Sequence, residues 1–200
     1  MPLVPPLTMM DFFRKSEGIW FIQRSVHHFD TVADESGESN LVVKVVDRDD
    51  PRVQQICASQ NVDPAKASGG AEFSWQSNLK AFRYDEKYAA ILVDVPDGDG
   101  GHAGQLLRDR GYAENMPVIG RYHFAEDGVM TIDNEYDKNQ GQERCWFLTD
   151  DFRVRVSTTR LANGVNLMAY CSERRFVDTA ELEQMVARHA EREGEEEETR

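Results

Sequence analysis

Residues 142–176, QERCWFLTDDFRVRVSTTRLANGVNLMAYCSERRF, decide the fold of this chain. The stretch contains three segments rich in β-branched and aromatic residues, and short polar turns separate them. Segments of this kind favour strands, and the polar clusters between them favour turns. The second turn is Asn163-Gly164, and an Asn-Gly pair between alternating segments is the strongest short-range indication of a β-hairpin. The stretch therefore predicts three consecutive antiparallel strands.

Strand-like segments continue towards the N-terminus. Four precede the stretch above: AEFSWQSNLKAFRY (71–84), KYAAILVDV (87–95), MPVIGRYHFAE (116–126) and VMTIDNEYD (129–137). The first two flank Asp85-Glu86, where we expect a hairpin. Two more, IWFIQRSVHHF (19–29) and LVVKVV (41–46), are separated by a polar segment, 31–40, that is interpreted as a loop.

The remaining predicted elements are short. Thr8 caps a helix, MMDFFRKSEG, that ends at Gly18, and Asp50-Pro51 opens a second helix, RVQQICASQ. QLLRDRG (105–111) is interpreted as a short helical or irregular link.

These elements together predict an all-β fold. Because no helix in the sequence is long enough to cross between parallel strands, the sheet is expected to be antiparallel and up-and-down. A sheet of about eight to ten strands with little helix to cover it should close on itself, which removes its edges. We therefore expect a β-barrel with an N-terminal helix and one or two short additional helices. A barrel of this size holds one small ligand.

The charge of the chain argues against two classes of partner and indicates where the folded domain ends. A formal net charge of -13 argues against nucleic acid and anionic membranes, because phosphate binding needs a surplus of Lys and Arg. Much of the acidity is concentrated at the end of the chain, in GEEEETR and the residues before it. We therefore predict a barrel domain over residues 1–176 and an acidic C-terminal helix or tail over residues 177–200.

The cysteines and the apolar segments favour a cytoplasmic protein. Cys57, Cys145 and Cys171 include no CxxC pair, so each is expected to be a small buried residue in a reducing compartment. No apolar stretch approaches the roughly 18 residues that cross a bilayer. The N-terminus lacks the basic start and long apolar run of a secretory signal.

Arginines and aromatic residues recur inside the predicted strands. Arg24 shares a face of its strand with Trp20, and Arg153 shares a face with Arg155. An inward arginine needs a carboxylate partner from the protein or from a ligand. A barrel lined with Trp and Arg suits a flat, conjugated molecule that carries acidic arms. Parity alone leaves open whether these arginines point inward or lie on the outer face beside neighbours such as Glu143.

No metal site and no nucleophile motif is predicted. His27 and His28 point to opposite faces of a strand, which makes them a poor metal pair. The acidic loop with Asp94, Asp97 and Asp99 lacks the register and closing Glu of a calcium-binding EF-hand. Motifs such as GxSxG, HExxH and the P-loop are absent from the sequence. The sequence thus indicates a binding cavity more readily than a catalytic apparatus.

Several segments, taken in order, resemble the S-type (CpcS/CpeS) phycobiliprotein lyases of cyanobacteria and some algal plastids. They are DFFRKSEGIW, the W-x-x-Q-R-S-x-H-H strand from Trp20 to His28, FSWQ around Trp75, ERCWF, FRVRVS and CSERRF, within residues 9–176. The resemblance implies a lipocalin-like barrel, in agreement with the strand pattern. It also implies an enzyme that binds phycocyanobilin or a related bilin and attaches it through a thioether to a cysteine of a phycobiliprotein subunit. No metal cofactor is implied.

The resemblance assigns the ligand-handling positions. They are Arg24, Trp75, Glu143, Trp146, Arg153 and Arg155, with Trp20, His27 and His28 in support. The arginines would hold the two bilin propionates, and the tryptophans would pack against pyrrole rings. Glu143, Arg153 and Arg155 would form the catalytic group, in which Glu143 accepts hydrogen bonds from pyrrole N–H groups and favours the protonated, more electrophilic bilin. Since the nucleophilic thiolate would belong to the client, this chain needs no activated cysteine.

Other hypotheses remain open at the level of sequence. The expected partners are phycobiliprotein subunits of the phycocyanin, allophycocyanin or phycoerythrin type, and a homodimer or a heterodimer with a related lyase chain is also open. The alternatives to a lyase are a non-catalytic carrier of a tetrapyrrole or other lipophilic ligand, and a partner subunit of a heteromeric lyase. The Trp and Arg set favours a tetrapyrrole over a fatty acid, which suits an apolar lumen. An algal chain of this kind would act in the plastid stroma.

Overall fold

The structure is a computed structural model, and it describes most of the chain. The described residues are 4–29, 34–76, 89–98, 100–109, 118–135, 140–160, 166–176 and 184. The turns predicted at Asp85-Glu86 and Asn163-Gly164, together with Asp99 and the predicted tail apart from Gln184, lie outside the described residues.

The described residues form one closed antiparallel barrel of ten strands. The strands are β1 (Gly18–His28), β2 (Glu35–Asp47), β3 (Gly69–Gln76), β4 (Ala89–Pro96), β5 (Ala103–Arg108), β6 (Val118–Phe124), β7 (Met130–Glu135), β8 (Gln140–Thr149), β9 (Phe152–Arg160) and β10 (Asn166–Arg175). Each strand pairs with its neighbour in sequence, and β1 pairs with β10 to close the barrel. The predicted all-β, up-and-down, lipocalin-like fold is confirmed.

Helix α1 (Met9–Ser16) plugs one end of the barrel. It starts where predicted, because the Thr8 hydroxyl accepts a hydrogen bond from the backbone N–H of Asp11 at 3.2 Å. Its apolar side chains, including Phe12 and Phe13, are buried in the barrel interior, where they join the main hydrophobic core. Burial of this amphipathic face, and not intrinsic helix propensity, stabilises so short a helix.

Helix α2 (Pro51–Ser59) covers the outside of the barrel instead. Val53 and Ile56 pack with Val93 of β4 and Leu107 of β5 in a second hydrophobic cluster. The short 3-10 helix Pro64–Lys66 follows it. Within the described part of the chain, no helix is long and apolar enough to cross a membrane.

Two of the sequence interpretations are wrong. QLLRDRG is not a helical or irregular link, because residues 105–108 belong to β5. Leu106 faces the interior and Leu107 faces α2, so both faces of β5 are apolar and the usual alternation is absent. The predicted loop over residues 31–40 is also shorter, since β2 begins at Glu35 and pairs along β1 as far as Val26.

Candidate ligand-binding site

A cavity of about 40 Å³ lies between α1 and the inner barrel wall. This free volume is small beside ligand pockets of roughly 300–1,000 Å³, because the side chains of α1 pack into the barrel interior. Most of its lining is apolar and comes from α1 and six strands: Met9, Phe12, Phe13, Leu41, Phe73, Trp75, Leu92, Leu106, Met130, Ile132 and Cys145. Charged groups enter on one side only, where β8 and β9 place Glu143, Arg153 and Arg155.

Arg153 is the most deeply buried of these charges, at 2% exposure. Its Nε donates to Glu173 Oε2 at 2.6 Å, and Nη1 donates to the hydroxyl of Ser16 at 2.6 Å. The guanidinium carbon also lies 4.4 Å from the centre of the Trp20 ring, a cation–π distance. Arg153 is thus held on several sides by protein groups.

Arg155 lies two residues further along β9, on the same face as Arg153, and bonds to two carboxylates. Its Nε donates to Glu173 Oε1 at 2.7 Å, and Nη1 donates to Glu143 Oε2 at 3.1 Å. The side chains of Arg155 and Glu143 are 17% and 23% exposed, whereas that of Glu173 is fully buried. Arg155 and Glu143 therefore present their charges to the cavity, while Glu173 lies behind them.

Glu173 joins the two arginines, one on each carboxylate oxygen. Burial raises the pKa of Glu173, but the adjacent Arg153 and Arg155 outweigh burial and hold the pKa below its usual range. The carboxylate is therefore ionised at neutral pH. Counted by formal charge, the guanidinium groups of Arg153 and Arg155 and the carboxylates of Glu143 and Glu173 sum to zero.

The inward direction of these arginines answers the question that strand parity left open. Arg153 and Arg155 face the cavity side of β9, and their carboxylate partners are Glu173 and Glu143 inside the barrel. The outer-face alternative is therefore wrong. Sequence analysis did not single out Glu173, although it is opposite Arg153 in the β9–β10 register and alternates with Cys171.

The three tryptophans have three different positions. Trp75 lines the cavity and stacks on Phe73, with ring centres 6.1 Å apart. Trp20 is fully buried, and Arg153 and Arg175 lie on it at 4.4 Å each. Its Nε1 donates to the carbonyl of Ser16 at 2.7 Å, so Trp20 supports the end of α1 and does not line the cavity.

The prediction that Trp146 lines the ligand cavity is wrong. Its neighbours Cys145 and Phe147 both lie in the barrel core. Because successive side chains of a strand point to opposite faces, Trp146 lies on the outer face of β8. The parity of Glu143 and Trp146 already made it impossible for both to line one cavity on a regular strand.

Arg24 and His28 face inward on β1, further from α1. Arg24 is opposite Cys171 of β10 and is exposed. Among the described residues its guanidinium has no hydrogen bond or ion pair, in contrast to that of Arg153. His28 lies at the end of β1, where its Nε2 is 3.1 Å from a carboxylate oxygen of Glu35, and it does not line the cavity. His27 points outward, with Nδ1 2.9 Å from Asp34.

All three cysteines are free and buried, as predicted. Cys57 lies in the cluster under α2, outside the barrel, whereas Cys145 and Cys171 lie in the interior core. Burial raises the pKa of Cys145 to about 12 and also raises the pKa of Cys171. No thiol among the described cysteines is therefore activated as a nucleophile.

A second polar pair lies in the interior, and sequence analysis missed it. Asp94 is 3% exposed, and the Tyr122 hydroxyl donates to its Oδ1 at 2.7 Å. Burial raises the pKa of Asp94 to about 6, although hydrogen bonds from Tyr122 and Ser68 oppose the effect. Neither side chain lines the cavity.

Comparisons with known proteins agree with this geometry. The family model for CpeS-like proteins matches residues 8–176. A relative in Trichodesmium erythraeum, chromophore lyase CpcS/CpeS 4, is 62% identical and covers 96% of this chain and 100% of its own length. A phycocyanobilin lyase subunit, CpcS, from a Picosynechococcus species is 35% identical, covering 83% of this chain and 85% of its own.

A solved structure shares the fold. The S-type phycobiliprotein lyase CpeS from Guillardia theta superposes with a TM-score of 0.71 at 27% identity, covering 86% of this chain and 94% of that one. The family match and the relatives span the barrel and its charged wall together. This chain belongs to the CpeS-like protein family.

Proposed function

We propose that this chain is a chromophore lyase that binds a linear tetrapyrrole in its barrel and attaches it to a cysteine of a phycobiliprotein subunit. The observation that carries the proposal is the cavity itself, which is apolar on most sides and has Glu143, Arg153 and Arg155 on one wall. The apolar sides suit a flat conjugated ligand, and the carboxylate of Glu143 can accept hydrogen bonds from its N–H groups. Membership of the CpeS-like family supports the same function.

The residues divide into those that meet the ligand and those that support them. Glu143 accepts hydrogen bonds from pyrrole N–H groups, Arg155 balances its charge, and Trp75 packs against a pyrrole ring. Arg24 anchors a propionate, because its guanidinium is inward, exposed and uncommitted within the described part of the chain. Arg153 keeps Glu173 and α1 in place and is not the propionate anchor in this proposal, since its Nε and Nη1 donors already meet Glu173 and Ser16.

The chemistry follows from where the nucleophile is. The client thiolate adds to the ethylidene side chain of the bilin, and the product is a thioether. This chain supplies the pocket, the orientation of the bilin and the carboxylate that favours its protonated form. Phycocyanobilin or a related bilin is the bound substrate, and no metal takes part in the addition.

A transfer assay tests the proposal. The protein is mixed with phycocyanobilin and an apo-phycobiliprotein subunit, and zinc-induced fluorescence is measured on the denatured client. We expect a covalent client adduct with native protein and a greatly reduced one with Glu143→Gln. Trp146→Leu, on the outer face, is the matched control and should keep native activity. Bilin binding without any client adduct would refute the lyase function and leave a carrier.

The second candidate is a subunit of a heteromeric lyase. The relative named phycocyanobilin lyase subunit CpcS favours it. In that case this chain binds bilin alone but transfers it only when a related chain is added. The same assay, repeated with a second CpeS-like chain present, separates the two functions, and size-exclusion chromatography of the mixture reports the heterodimer.

A further inference from the structure

Two thiols of this chain lie in the barrel interior, and one of them lines the ligand cavity. Cys145 on β8 and Cys171 on β10 are both opposite Arg155 in the antiparallel registers of β9. Each is 2% exposed, and Cys145 lines the cavity. Nη2 of Arg155 lies 3.6 Å from Sγ of Cys171. A ligand in the cavity therefore contacts Cys145, and Cys171 lies beside Arg155, which also lines the cavity.

An electrophilic ligand that accepts a client thiolate accepts any other thiolate as well. The addition forms an S–C bond at the ethylidene carbon and consumes the exocyclic C=C bond, and the thiol proton goes to the adjacent ring carbon. It needs no oxidant and has no leaving group. A guanidinium beside a thiol ordinarily lowers the thiol pKa and so generates the reactive thiolate. Arg155 beside Cys171 is such an arrangement.

Two carboxylates counteract this activation. Arg155 donates to Glu173 at 2.7 Å and to Glu143 at 3.1 Å, so its charge is balanced within the cluster. The charged groups that face the thiols are Arg24, Arg153, Arg155, Glu143 and Glu173. Burial is the main cause that raises the pKa of both thiols. The carboxylates of Glu143 and Glu173 raise the pKa further, whereas the arginines lower it.

We propose that Glu143 and Glu173 are positioning residues that keep Cys145 and Cys171 in the thiol form, so that the chain does not capture the bilin it delivers. The identity of the electrophile rests on the proposed function, but the protection of the thiols does not. The carboxylates thus direct the ligand to an external thiolate.

Alkylation kinetics test the state of the thiols without any bilin. Native protein and Glu143→Gln are treated with iodoacetamide at pH 8, and each cysteine is followed by peptide mass spectrometry. Removing one facing carboxylate should lower the thiol pKa and raise the thiolate fraction about tenfold. Because a less basic thiolate is a weaker nucleophile, we expect alkylation of Cys145 or Cys171 to accelerate about threefold.

Three controls separate this effect from a loosened fold. Cys57 is equally buried but belongs to α2, outside the barrel, so its rate should not change. Glu143→Asp keeps the charge and should restore the slow native rate. Glu72→Gln removes the partner of Arg52 on the outer face and should leave all three cysteines unchanged. Equal rates in native protein and Glu143→Gln, or a common increase that includes Cys57, would overturn the proposal.

A second arm uses phycocyanobilin without any acceptor protein. Glu143→Gln should acquire zinc-induced fluorescence on its own denatured band, and the native protein should not. Adding Cys145→Ser and Cys171→Ser to the variant should abolish the adduct. If native protein fails to bind bilin, the proposed function fails in this arm alone, and the iodoacetamide rates still decide whether the carboxylates protect the thiols.

Discussion

Arg153 donates from Nε to Glu173 at 2.6 Å, and both side chains lie in the barrel interior, at 2% and 0% exposure. A buried pair of this kind is costly to break, because the remaining partner is left charged and desolvated. The same guanidinium reaches Ser16 at the end of α1 and lies on Trp20. The pair therefore joins the charged wall of the cavity to the helix that plugs the barrel.

The first prediction concerns stability. Arg153→Leu leaves Glu173 buried with Arg155 as its remaining cationic partner, so we expect a loss of about 3–5 kcal/mol in the free energy of unfolding. Arg121→Leu is the matched control, since the Arg121–Asp97 pair is about half exposed and should contribute little to stability. Urea denaturation measures both. Similar small losses for the two variants would contradict the structural role of Arg153.

The second prediction concerns ligand affinity. Arg24→Leu should weaken bilin binding by about 1.5–3 kcal/mol, because it removes a charge-assisted hydrogen bond to a propionate. Arg144→Leu removes a cation from the outer face of β8 and should leave the affinity unchanged. Titration of bilin absorbance or fluorescence quenching gives both dissociation constants. Native affinity in Arg24→Leu would show that a different group holds the propionates.

The third prediction compares two tryptophans. Trp75→Leu should weaken bilin binding by about 1 kcal/mol, since an aromatic contact in the cavity is lost. Trp146→Leu should not, because Trp146 lies on the outer face of β8. The titration used for Arg24 measures the difference between them. An affinity loss confined to Trp146→Leu would place the ligand outside the barrel.

The fourth prediction concerns pH. The pKa of Asp94 is about 6 in the folded chain, against 3.8 as its ordinary value. The folded state thus holds this proton more tightly, so stability that is present below pH 4 is lost as the pH rises through 6. We expect the free energy of unfolding of native protein, relative to Asp94→Asn, to fall by about 2 kcal/mol between pH 4 and pH 7.

Urea denaturation of both proteins across this range gives the difference. Subtracting Asp94→Asn removes the contributions of the other carboxylates, which titrate in the same range. A constant difference from pH 4 to pH 7 would show that Asp94 is not desolvated as the structure indicates. A difference that grows with pH would reverse the sign and exclude burial as the cause.

Much of the fold is determined by local sequence. The segments in residues 142–176 become β8, β9 and β10 because alternating apolar residues and short polar turns act over a few neighbouring positions. Thr8 and Asp50 likewise start their helices through bonds to residues two or three positions away. β5 escaped prediction because both of its faces are covered, and α2, which covers one of them, is distant in sequence.

The arrangement of the site depends on tertiary structure more than the choice of strands and helices does. The resemblance to the S-type lyases assigned Arg24, Trp75, Glu143, Trp146, Arg153 and Arg155 as a set, although strand parity places Trp146 and Glu143 on opposite faces. Which face is the inside, and that Glu173 pairs with both arginines, follow only from closure of the barrel, which brings β9, β10 and α1 together. Burial and electrostatic pairing depend on these distant neighbours, so the sequence names the charged groups but only the closed barrel determines which of them remain available to a ligand.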